Sequence, residues 1–476
     1  MIRSPEVQTP FKGTLRGWPW LPLQISQRKG LLIGVDLILL NASLILGLYT
    51  DVAMPLAFIS VELYLMCFAI LNALWLVVAT SSDNYEIRKA AQVFSSTYGI
   101  IKTLFIITAI VAFFRLVFPS PLIGWSFIFL VTASAAALLA LWRIIYATVL
   151  VQPNFRRRAI IVGVGETGRT IASVINEDDT GYEVIGYLTC DEFGMKQNSK
   201  STFPLVEWSR LTTFVEENGV SDIILAVRQD MKSDQFHAVM KCFEYGVRIV
   251  PMPDLFEEIT GRIPVEHIDE RWLTSLPIGW DSRSLYHIVK RAMDIYMAGT
   301  ALLLWAPLFP LLGLAIKLDS PGPIFYRPER LGQRGKPFRL WKFRTMVANA
   351  DSVGDPTFTA KNDFRITRVG KFLRTIHIDE LPQLINVLSG EMSLIGPRPE
   401  RYVPELEERI PYYRTRYVTK PGATGWALVK QGYAEGPEET LIKLQYDLYY
   451  IKHQSLSLDL LIMFKTVIHM ITMRGR

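Results

Sequence analysis

The stretch IYMAGTALLLWAPLFPLLGLAI, residues 295–316, decides how this chain meets a membrane. It is apolar and long enough for a helix to cross the hydrocarbon layer, which takes about 20 residues. Pro307 and Pro310 lie near its middle, and each proline removes a backbone donor and bends a helix by steric clash. A straight crossing would also leave the flanking soluble segments on opposite sides. We therefore predict a re-entrant helix, broken at Pro307 and Pro310, that enters and leaves by the same face.

The N-terminal third also has membrane-spanning character. Four apolar runs reach the required length, near residues 31–49, 56–80, 98–118 and 121–150, so residues 1–150 are predicted to hold four transmembrane helices. Basic residues cluster beside them at Arg28 with Lys29, at Arg88 with Lys89, and at Arg143 with residues 156–158. By the positive-inside rule, both ends of this bundle face the cytoplasm. Residues 1–30 lack the apolar core and cleavage site of a removable signal peptide.

Two polar residues, Asp36 and Asn41, fall inside the first predicted span. Polar groups in a bilayer are costly, and they either serve a function or pair with other helices. A single acid near a helix end more often snorkels to the interface or pairs within the bundle than serves a function, and the sequence does not decide between these for Asp36 and Asn41.

Composition agrees with a membrane protein that carries soluble domains. The chain has 476 residues, of which 50% are hydrophobic and 20% charged, and its mean hydropathy is positive. That length exceeds one ordinary domain, and that apolar content exceeds a soluble protein's. The three cysteines, Cys67, Cys190 and Cys242, are scattered, which excludes a disulfide framework and a zinc site.

Residues 151–265 read as a short Rossmann-like α/β domain. The segment RRRAIIVGVGETGRTIASVI, residues 156–175, has a strand that ends in Gly163, Gly165 and Gly168 and then a helix, the context of a dinucleotide-binding turn. Asp191 follows the second strand, where a ribose-binding acid would lie. These residues predict a bound nucleotide. The alternative is that the glycines only make a tight turn in a domain used for packing or regulation.

The charge changes sharply after the broken run. Residues 317–374 contain 13 Lys or Arg against 5 Asp or Glu, which predicts an anionic partner, either acidic lipids or phosphate. Cations recur at every third position, at Arg365, Arg368, Lys371 and Arg374. If this segment is helical, they spread over one broad face.

The segment RTIHIDELPQL, residues 374–384, places Asp379 and Glu380 side by side just after these cations. An Asp before a helix can cap it, which stabilises the helix by about 1 kcal/mol. A carboxylate beside cations can also attack phosphorus while the cations hold the phosphate oxygens. The two interpretations are compatible.

Six blocks in order resemble a known family: KRAMD, SPGPIFYRPERLG, KPFRLWKFRTM, RITRVGKFLR, DELPQLINVLSGEMSLIGPRP and KPGATGW. They are similar to those of the bacterial sugar transferases, the monotopic polyprenyl-phosphate phosphoglycosyltransferases that start exopolysaccharide, capsule or O-antigen synthesis. The resemblance covers residues 285–476, with 266–284 as a linker. The chain departs from the family at Ala306, where many members have Ser, and in ALVKQGYAEG. The second departure bears on sugar specificity.

The resemblance implies a reaction and its partners. A hexose-1-phosphate, of the glucose or galactose type, passes from a UDP-sugar to undecaprenyl phosphate with release of UMP. The implied partners are these two substrates and the lipid bilayer, with no nucleic acid, and a homodimer remains open. The implied place is the bacterial inner membrane, with several spans and the catalytic domain on the cytoplasmic face.

The resemblance also implies roles for residues. Asp379 attacks the donor phosphate to give a phosphosugar-aspartyl intermediate, and Glu380 helps to hold Mg²⁺ or Mn²⁺ with it. The other members of the implied phosphate and nucleotide site are Arg374, Arg398 between Pro397 and Pro399, Lys342 and Arg344.

The predicted fold class is therefore a membrane protein of α plus α/β type. It combines a four-helix transmembrane bundle, a short Rossmann-like domain and a mainly helical monotopic catalytic domain with a re-entrant broken helix. Two other functions stay open. A membrane-anchored nucleotide sensor would lose binding on changes at Gly163 or Gly165 and show no turnover, and a nucleic-acid binder would lose affinity steeply with salt.

Overall fold

The computed structural model describes residues 25–50, 61–118, 124–151, 156–177, 180–189, 204–227, 231–268, 285–348, 350, 363–432 and 436–471. The chain divides into two compact units, Met1–Thr260 and Gly261–Arg476.

Apolar helices open the first unit. They are α1 (Ile25–Thr50), α2 (Val61–Ser81), α3 (Ile87–Ala91), α4 (Val93–Val117) and α5 (Trp125–Ile145), the last continued by a π-helical turn, Tyr146–Leu150. Among the described residues, three of these helices are long and apolar enough to cross a membrane: Ile25–Tyr49, Val93–Val117 and Trp125–Leu150. The apolar part of α2 there is shorter, Phe68–Ser81. Large side chains such as Trp75, Ile100 and Leu139 form the buried centre of the bundle.

Both polar residues of the first predicted span have partners in other helices. Arg143 Nη2 donates to Asp36 Oδ2 at 2.5 Å, and both side chains are fully buried. Asn41 and Asn72 exchange side-chain amide hydrogen bonds of 2.9 and 3.2 Å. Of the alternatives that the sequence left open, both residues pair within the bundle.

A small parallel sheet follows, as predicted. Its strands β1 (Arg157–Val162), β2 (Tyr182–Leu188), β3 (Asp222–Leu225) and β4 (Arg248–Pro251) lie in the order β2-β1-β3-β4. The accompanying helices are α6 (Glu166–Glu177), α7 (Leu211–Asn218), α8 (Ser233–Glu244) and α9 (Met252–Thr260), with a 3₁₀ turn at Trp208–Arg210. Ile160 and Ile161 are both fully buried, which agrees with a strand covered on both faces.

The three glycines after β1 differ in what the backbone requires. Gly163 has φ +111, and a Cβ at Gly168 would lie 2.0 Å from the Gly163 carbonyl oxygen, so the turn needs both glycines. A Cβ at Gly165 would meet nothing within 4 Å. Asp191 lies outside the described residues, and nucleotide binding by this domain stays a prediction.

The broken run lies in the second unit. Helix α10 (Leu285–Trp305) ends in a 3₁₀ turn, Ala306–Leu308, and α11 (Phe309–Asp319) follows. The α-helix is therefore interrupted at Pro307, and Pro310 is the second residue of the next helix. Together Leu285–Asp319 form the fourth apolar segment long enough to span a membrane among the described residues.

The remaining elements of the second unit are mostly short. The strands are β5 (Phe325–Tyr326), β6 (Glu329–Leu331), β7 (Pro337–Arg339), β8 (Lys342–Phe343), β9 (Ser393–Ile395) and β10 (Gly422–Thr424). The helices are α12 (Arg368–Thr375), α13 (Gln383–Ser389), α14 (Pro404–Arg409), α15 (Trp426–Lys430), α16 (Pro437–Lys452) and α17 (Leu456–Ile471). The 3₁₀ turns lie at Val265–His267, Gln333–Gly335, Ile378–Glu380 and Tyr413–Val418. Ile263, Val265 and Ile268 pack into the core of this unit.

Candidate active site

A strained turn presents the acidic pair. Asp379 and Glu380 lie in the 3₁₀ turn Ile378–Glu380, and the residue before it, His377, has left-handed backbone angles of φ 56 and ψ 18. A non-glycine residue in this region costs about 1 kcal/mol or more and persists only where its surroundings impose it. The turn directs the Asp379 side chain inward, where the residue is 7% exposed.

Glu380 is held by two cations. Lys342 Nζ donates to Glu380 Oε1 at 2.9 Å, while Arg398 donates to Oε1 at 2.5 Å and to Oε2 at 3.3 Å. Burial alone would raise the pKa of Glu380, but Arg398 and Lys342 outweigh it and hold that pKa well below its usual range. Glu380 is thus fixed as a carboxylate that orders the two cations.

Asp379 has the opposite environment. No hydrogen bond to its carboxylate is found within the described residues, and burial, followed by the charge of Glu380, raises its pKa above the ordinary 3.8. Lys342 and Arg374 lower that pKa in turn, so both cations act on the Asp379 charge. A buried carboxylate near cations but not bound to them keeps its lone pairs available for attack.

The capping interpretation is not supported by the geometry. Helix α13 begins at Gln383 with Pro382 as its N-cap residue, and no side chain caps it. Asp379 precedes that position and makes no capping hydrogen bond.

The cations of the basic segment separate into different environments. Arg374 donates from Nε to Thr345 Oγ1 at 2.9 Å beside the site. Arg365 lies before α12 rather than on it and bonds Asp363 at 2.6 Å, whereas Arg368 and Lys371 are exposed on the helix. Arg365 therefore lies off the predicted face, whereas Arg368, Lys371 and Arg374 lie on α12, and the charge of Arg374 acts on Asp379.

Arg344 holds the end of the broken segment. Its Nη2 donates to the Ser320 carbonyl at 2.6 Å, to Ser320 Oγ at 2.9 Å and to the Ile316 carbonyl at 3.4 Å. A phosphate contact for Arg344 stays a prediction, since the residue is only 6% exposed.

The Gly-Pro-Arg-Pro loop rests on a buried charge network that sequence reasoning missed. Arg416 bridges Glu400, through a short contact, and Asp447 at 2.7 Å, and it donates to the Arg398 carbonyl at 3.3 Å. Lys443 and Tyr413 also donate to Glu400. Burial raises the pKa of Asp447 to about 6 against the pull of Arg416. Glu400 follows the loop directly, so it was the only member of the network whose position in the sequence pointed to the loop. The other members lie far from the loop in sequence.

Asn386 was also missed. Its Oδ1 accepts from the Trp341 backbone N–H at 3.0 Å, and its Nδ2 donates to the Arg339 carbonyl at 2.9 Å. These bonds fix the strand that carries Lys342 against α13, and so set the distance between Lys342 and the acidic turn.

The donor set can be tested against a divalent cation. Within the described residues, no three His, Cys, Asp or Glu side chains converge as a metal cluster. Mg²⁺ commonly takes one or two carboxylates and completes its octahedron with substrate phosphates and waters. Asp379 and Glu380 fit that smaller requirement, provided that Glu380 exchanges one of its cation contacts.

Comparison with known proteins places this site in a family. Residues 285–473, which contain every site residue described above, match the sequence model of the bacterial sugar transferases. An uncharacterized sugar transferase of Haemophilus influenzae is 30% identical over 389 residues, which cover 75% of this chain and 78% of that protein. The chain belongs to the bacterial sugar transferase family.

Other members of the bacterial sugar transferase family have more specific names. A UDP-glucose:undecaprenyl-phosphate glucose-1-phosphate transferase of Xanthomonas campestris is 32% identical, over 66% of each chain. A UDP-N-acetylgalactosamine-undecaprenyl-phosphate N-acetylgalactosaminephosphotransferase of Aeromonas hydrophila is 41% identical, over 51% of this chain and 58% of its own. The chain thus spans less than two thirds of the length of these two relatives, and their named sugars differ.

Proposed function

We propose that this chain transfers a sugar-1-phosphate from a UDP-sugar to undecaprenyl phosphate and releases UMP. This reaction would be the first step in the biosynthesis of an extracellular polysaccharide. The observation that carries the proposal is the division of roles in the acidic pair: Glu380 is bound by Lys342 and Arg398, while Asp379 is buried beside cations with its lone pairs free. The names of the relatives support the substrates. The sugar is proposed to be a hexose of the glucose or galactose type.

The proposed reaction has two displacements at one phosphorus atom. A carboxylate oxygen of Asp379 attacks the β-phosphorus of the donor, the bond to the bridging oxygen breaks, and UMP leaves with that electron pair. An oxygen of undecaprenyl phosphate then attacks the same phosphorus, and the Asp379 carboxylate leaves. Lys342, Arg374 and Arg398 are proposed to stabilise charge on the phosphate oxygens.

A divalent cation is part of the proposal. Asp379 and Glu380 would hold Mg²⁺ or Mn²⁺, which would neutralise charge on the leaving group. Glu380 would then give up one of its contacts with Lys342 and Arg398 and keep the other.

The assay that tests the function measures UMP release by the full chain in lipid nanodiscs. Undecaprenyl phosphate and a panel of UDP-sugars should give steady turnover with one of the hexose donors, and excess EDTA should stop it until Mg²⁺ is restored. A protein that binds UDP-sugars yet never releases UMP would instead favour the nucleotide-sensing alternative.

The raised pKa of Asp379 gives a pH prediction. Attack needs the carboxylate, so kcat/KM should fall in acid with an inflection above the ordinary 3.8. Because Arg374 lowers the pKa of Asp379, Arg374→Gln should move the inflection to higher pH. Arg368→Gln, the same charge change at an exposed position on the same helix, should leave it in place. Equal inflections in both variants would contradict the role of Arg374.

The re-entrant path is likewise proposed. Arg291 near the start of α10 donates to the Val387 carbonyl at 2.7 Å, and the Asp319 carboxylate at the end of α11 accepts from the Val369 backbone at 2.8 Å. Both flanks therefore contact helices of one compact unit. A straight helix over Leu285–Asp319 would extend about 50 Å and carry one flank across the bilayer. The catalytic domain would then lie on the cytoplasmic face of the bacterial inner membrane.

Cysteine labelling tests that path. In a variant without native cysteines, Cys placed at Leu285 and at Lys317, both exposed, should react with an impermeant maleimide in inside-out vesicles and stay unlabelled in intact spheroplasts. Labelling of either position in spheroplasts would show that the segment crosses.

A further inference from the structure

Polar residues form a stripe on the first turns of α10. Tyr286, Lys290 and Asp294 are spaced four residues apart, so they lie one above the other on the same face of the helix. Lys290 and Asp294 are buried, and Asp294 is the last charged residue before the apolar run 295–316. Buried charges need partners, and the partners of this stripe show what the start of the broken segment is bound to.

Lys290 joins α10 to α16 and α17. Its Nζ donates to Asp459 Oδ2 in α17 at 2.9 Å and to Tyr450 Oη in α16 at 3.1 Å. The hydroxyls of Tyr286 and Tyr450 also donate to the Asp459 carboxylate, at 2.9 and 2.8 Å. Tyr450 Oη lies 3.3 Å from the carbonyl oxygen of Ile395, the last residue of β9. This network fixes the base of α10 beside β9.

Asp294 bonds directly to β9, the strand that leads into the Gly-Pro-Arg-Pro loop. Its Oδ1 accepts from the Leu394 backbone N–H at 3.0 Å and from Ser393 Oγ at 3.1 Å. Strand β9 pairs with β10 in a two-stranded sheet, and successive N–H groups of a strand point to opposite edges. The Asp294 carboxylate therefore supplies the acceptor for Leu394 on the edge away from β10.

The backbone between β9 and the site is firmly held. Arg398 comes four residues after Leu394 in the chain. The Gly396 N–H donates to the backbone of β10 and the Pro397 carbonyl accepts from it, both at 2.9 Å. Proline also fixes φ at Pro397. Because so short a connection has little freedom, a displacement of β9 is expected to move the Arg398 guanidinium relative to Glu380, to which it donates.

We propose that Asp294 is a positioning residue for the transfer reaction. Through Leu394 and Ser393 it holds β9 in the place from which Arg398 reaches Glu380 and the phosphate of the donor. This inference rests on the proposed function. Asp294 acts through Arg398 rather than on the substrate, and it makes the seating of α10 a determinant of the geometry of the site.

A double-mutant cycle on UMP release by the full chain in nanodiscs tests this role. Asp294→Ala leaves the Leu394 N–H and the Ser393 hydroxyl without their acceptor, and turnover should fall about tenfold or more, as expected for lost hydrogen bonds to a charged group. Asp294→Asn keeps an acceptor oxygen and should stay within a few-fold of the wild type. In an Arg398→Gln background, measured in single turnover, Asp294→Ala should cost about twofold or less, because the side chain it positions is gone.

A matched control comes from the other end of the broken segment. Asp319→Ala also removes a bond from a carboxylate to a backbone N–H, that of Val369 at 2.8 Å, but this bond leads to α12 and not to β9. Its effect on turnover should therefore be the same with and without Arg398. An Asp294→Ala loss that is equally large in both backgrounds would show a general structural role and overturn the proposal, as would wild-type turnover in Asp294→Ala.

Hydrogen exchange tests the placement of β9 without turnover. In Asp294→Ala, residues 393–398 should exchange faster than in the wild type, while residues 368–375 of α12 keep their rate. If Asp294→Ala does not fold, Ser393→Ala removes one of the two donors and should give a few-fold loss of turnover that is likewise absent in the Arg398→Gln background. Equal acceleration in both segments would overturn the proposal. A wild type that releases no UMP would reject the reaction, whereas faster exchange confined to residues 393–398 would still support the hold of Asp294 on β9.

Discussion

Asp379→Asn should fold normally and lose about 10⁴-fold or more in turnover, the scale observed when a covalent nucleophile is removed. Asparagine has almost the same volume and keeps an acceptor oxygen, but it lacks the carboxylate that would attack phosphorus. Asp363→Asn makes the same change at a carboxylate bonded to Arg365 outside the site, and it should retain turnover within a few-fold. Activity would be measured as UMP release beside a thermal unfolding curve for each protein.

The wild type should also show the covalent intermediate. With a UDP-sugar and no lipid acceptor, it should release a burst of UMP equal to the amount of enzyme and retain a sugar-phosphate mass on the peptide that contains Asp379. Near-normal turnover by a folded Asp379→Asn protein, or an adduct on another residue, would remove Asp379 from the mechanism.

The second large effect is expected at Arg416. Arg416→Met keeps much of the side-chain volume but leaves Asp447 buried without its cation, and breaking a buried ion pair costs about 3–5 kcal/mol. For a unit of this size the thermal midpoint should fall on the order of 10 °C. Turnover should fall as well, because Arg416 also supports the Arg398 carbonyl.

Two controls make the prediction specific. Arg414→Met removes a neighbouring guanidinium whose side chain is 77% exposed and lies 3.9 Å from Glu407, and it should change stability by about 0.5 kcal/mol or less. Without Arg416 the pKa of Asp447, already about 6, should rise further. The protonated acid is the form that tolerates burial, so the deficit should shrink as pH falls from 8 toward 5.5. Equal losses for both Met variants, or a deficit that grows in acid, would contradict the network's role.

Sequence patterns predicted the local elements and missed the contacts between distant segments. The proline break at Ala306–Leu308 and the parallel sheet are visible in hydropathy, proline placement and strand periodicity. The network behind Arg398 is different, because Arg416 and Lys443 reach Glu400 from a 3₁₀ and an α-helical segment, and Asp447 joins only through Arg416. Periodicity over a few residues carries no information on such partners.

The cationic segment shows the same limit within a short range. The three-residue spacing predicted one shared face for Arg365, Arg368, Lys371 and Arg374. The helix begins only at Arg368, where Thr367 caps it by accepting from the Gly370 backbone N–H at 3.0 Å, and Arg365 is held earlier by Asp363. Thr367, a capping residue inside the periodic pattern, was the available signal that the helix begins after Arg365. This cap, and not the three-residue spacing, decided where the helix starts.

Two adjacent residues, Arg344 and Thr345, connect the apolar segment Leu285–Asp319 to the site around Asp379. Arg344 grips the last turn of α11 through Ile316 and Ser320, and the next residue, Thr345, accepts from Arg374, whose charge acts on Asp379. A shift of the segment in response to bilayer thickness would pass to Arg374 through a single peptide link. The turnover rate of such a protein would then depend on the thickness of the surrounding bilayer.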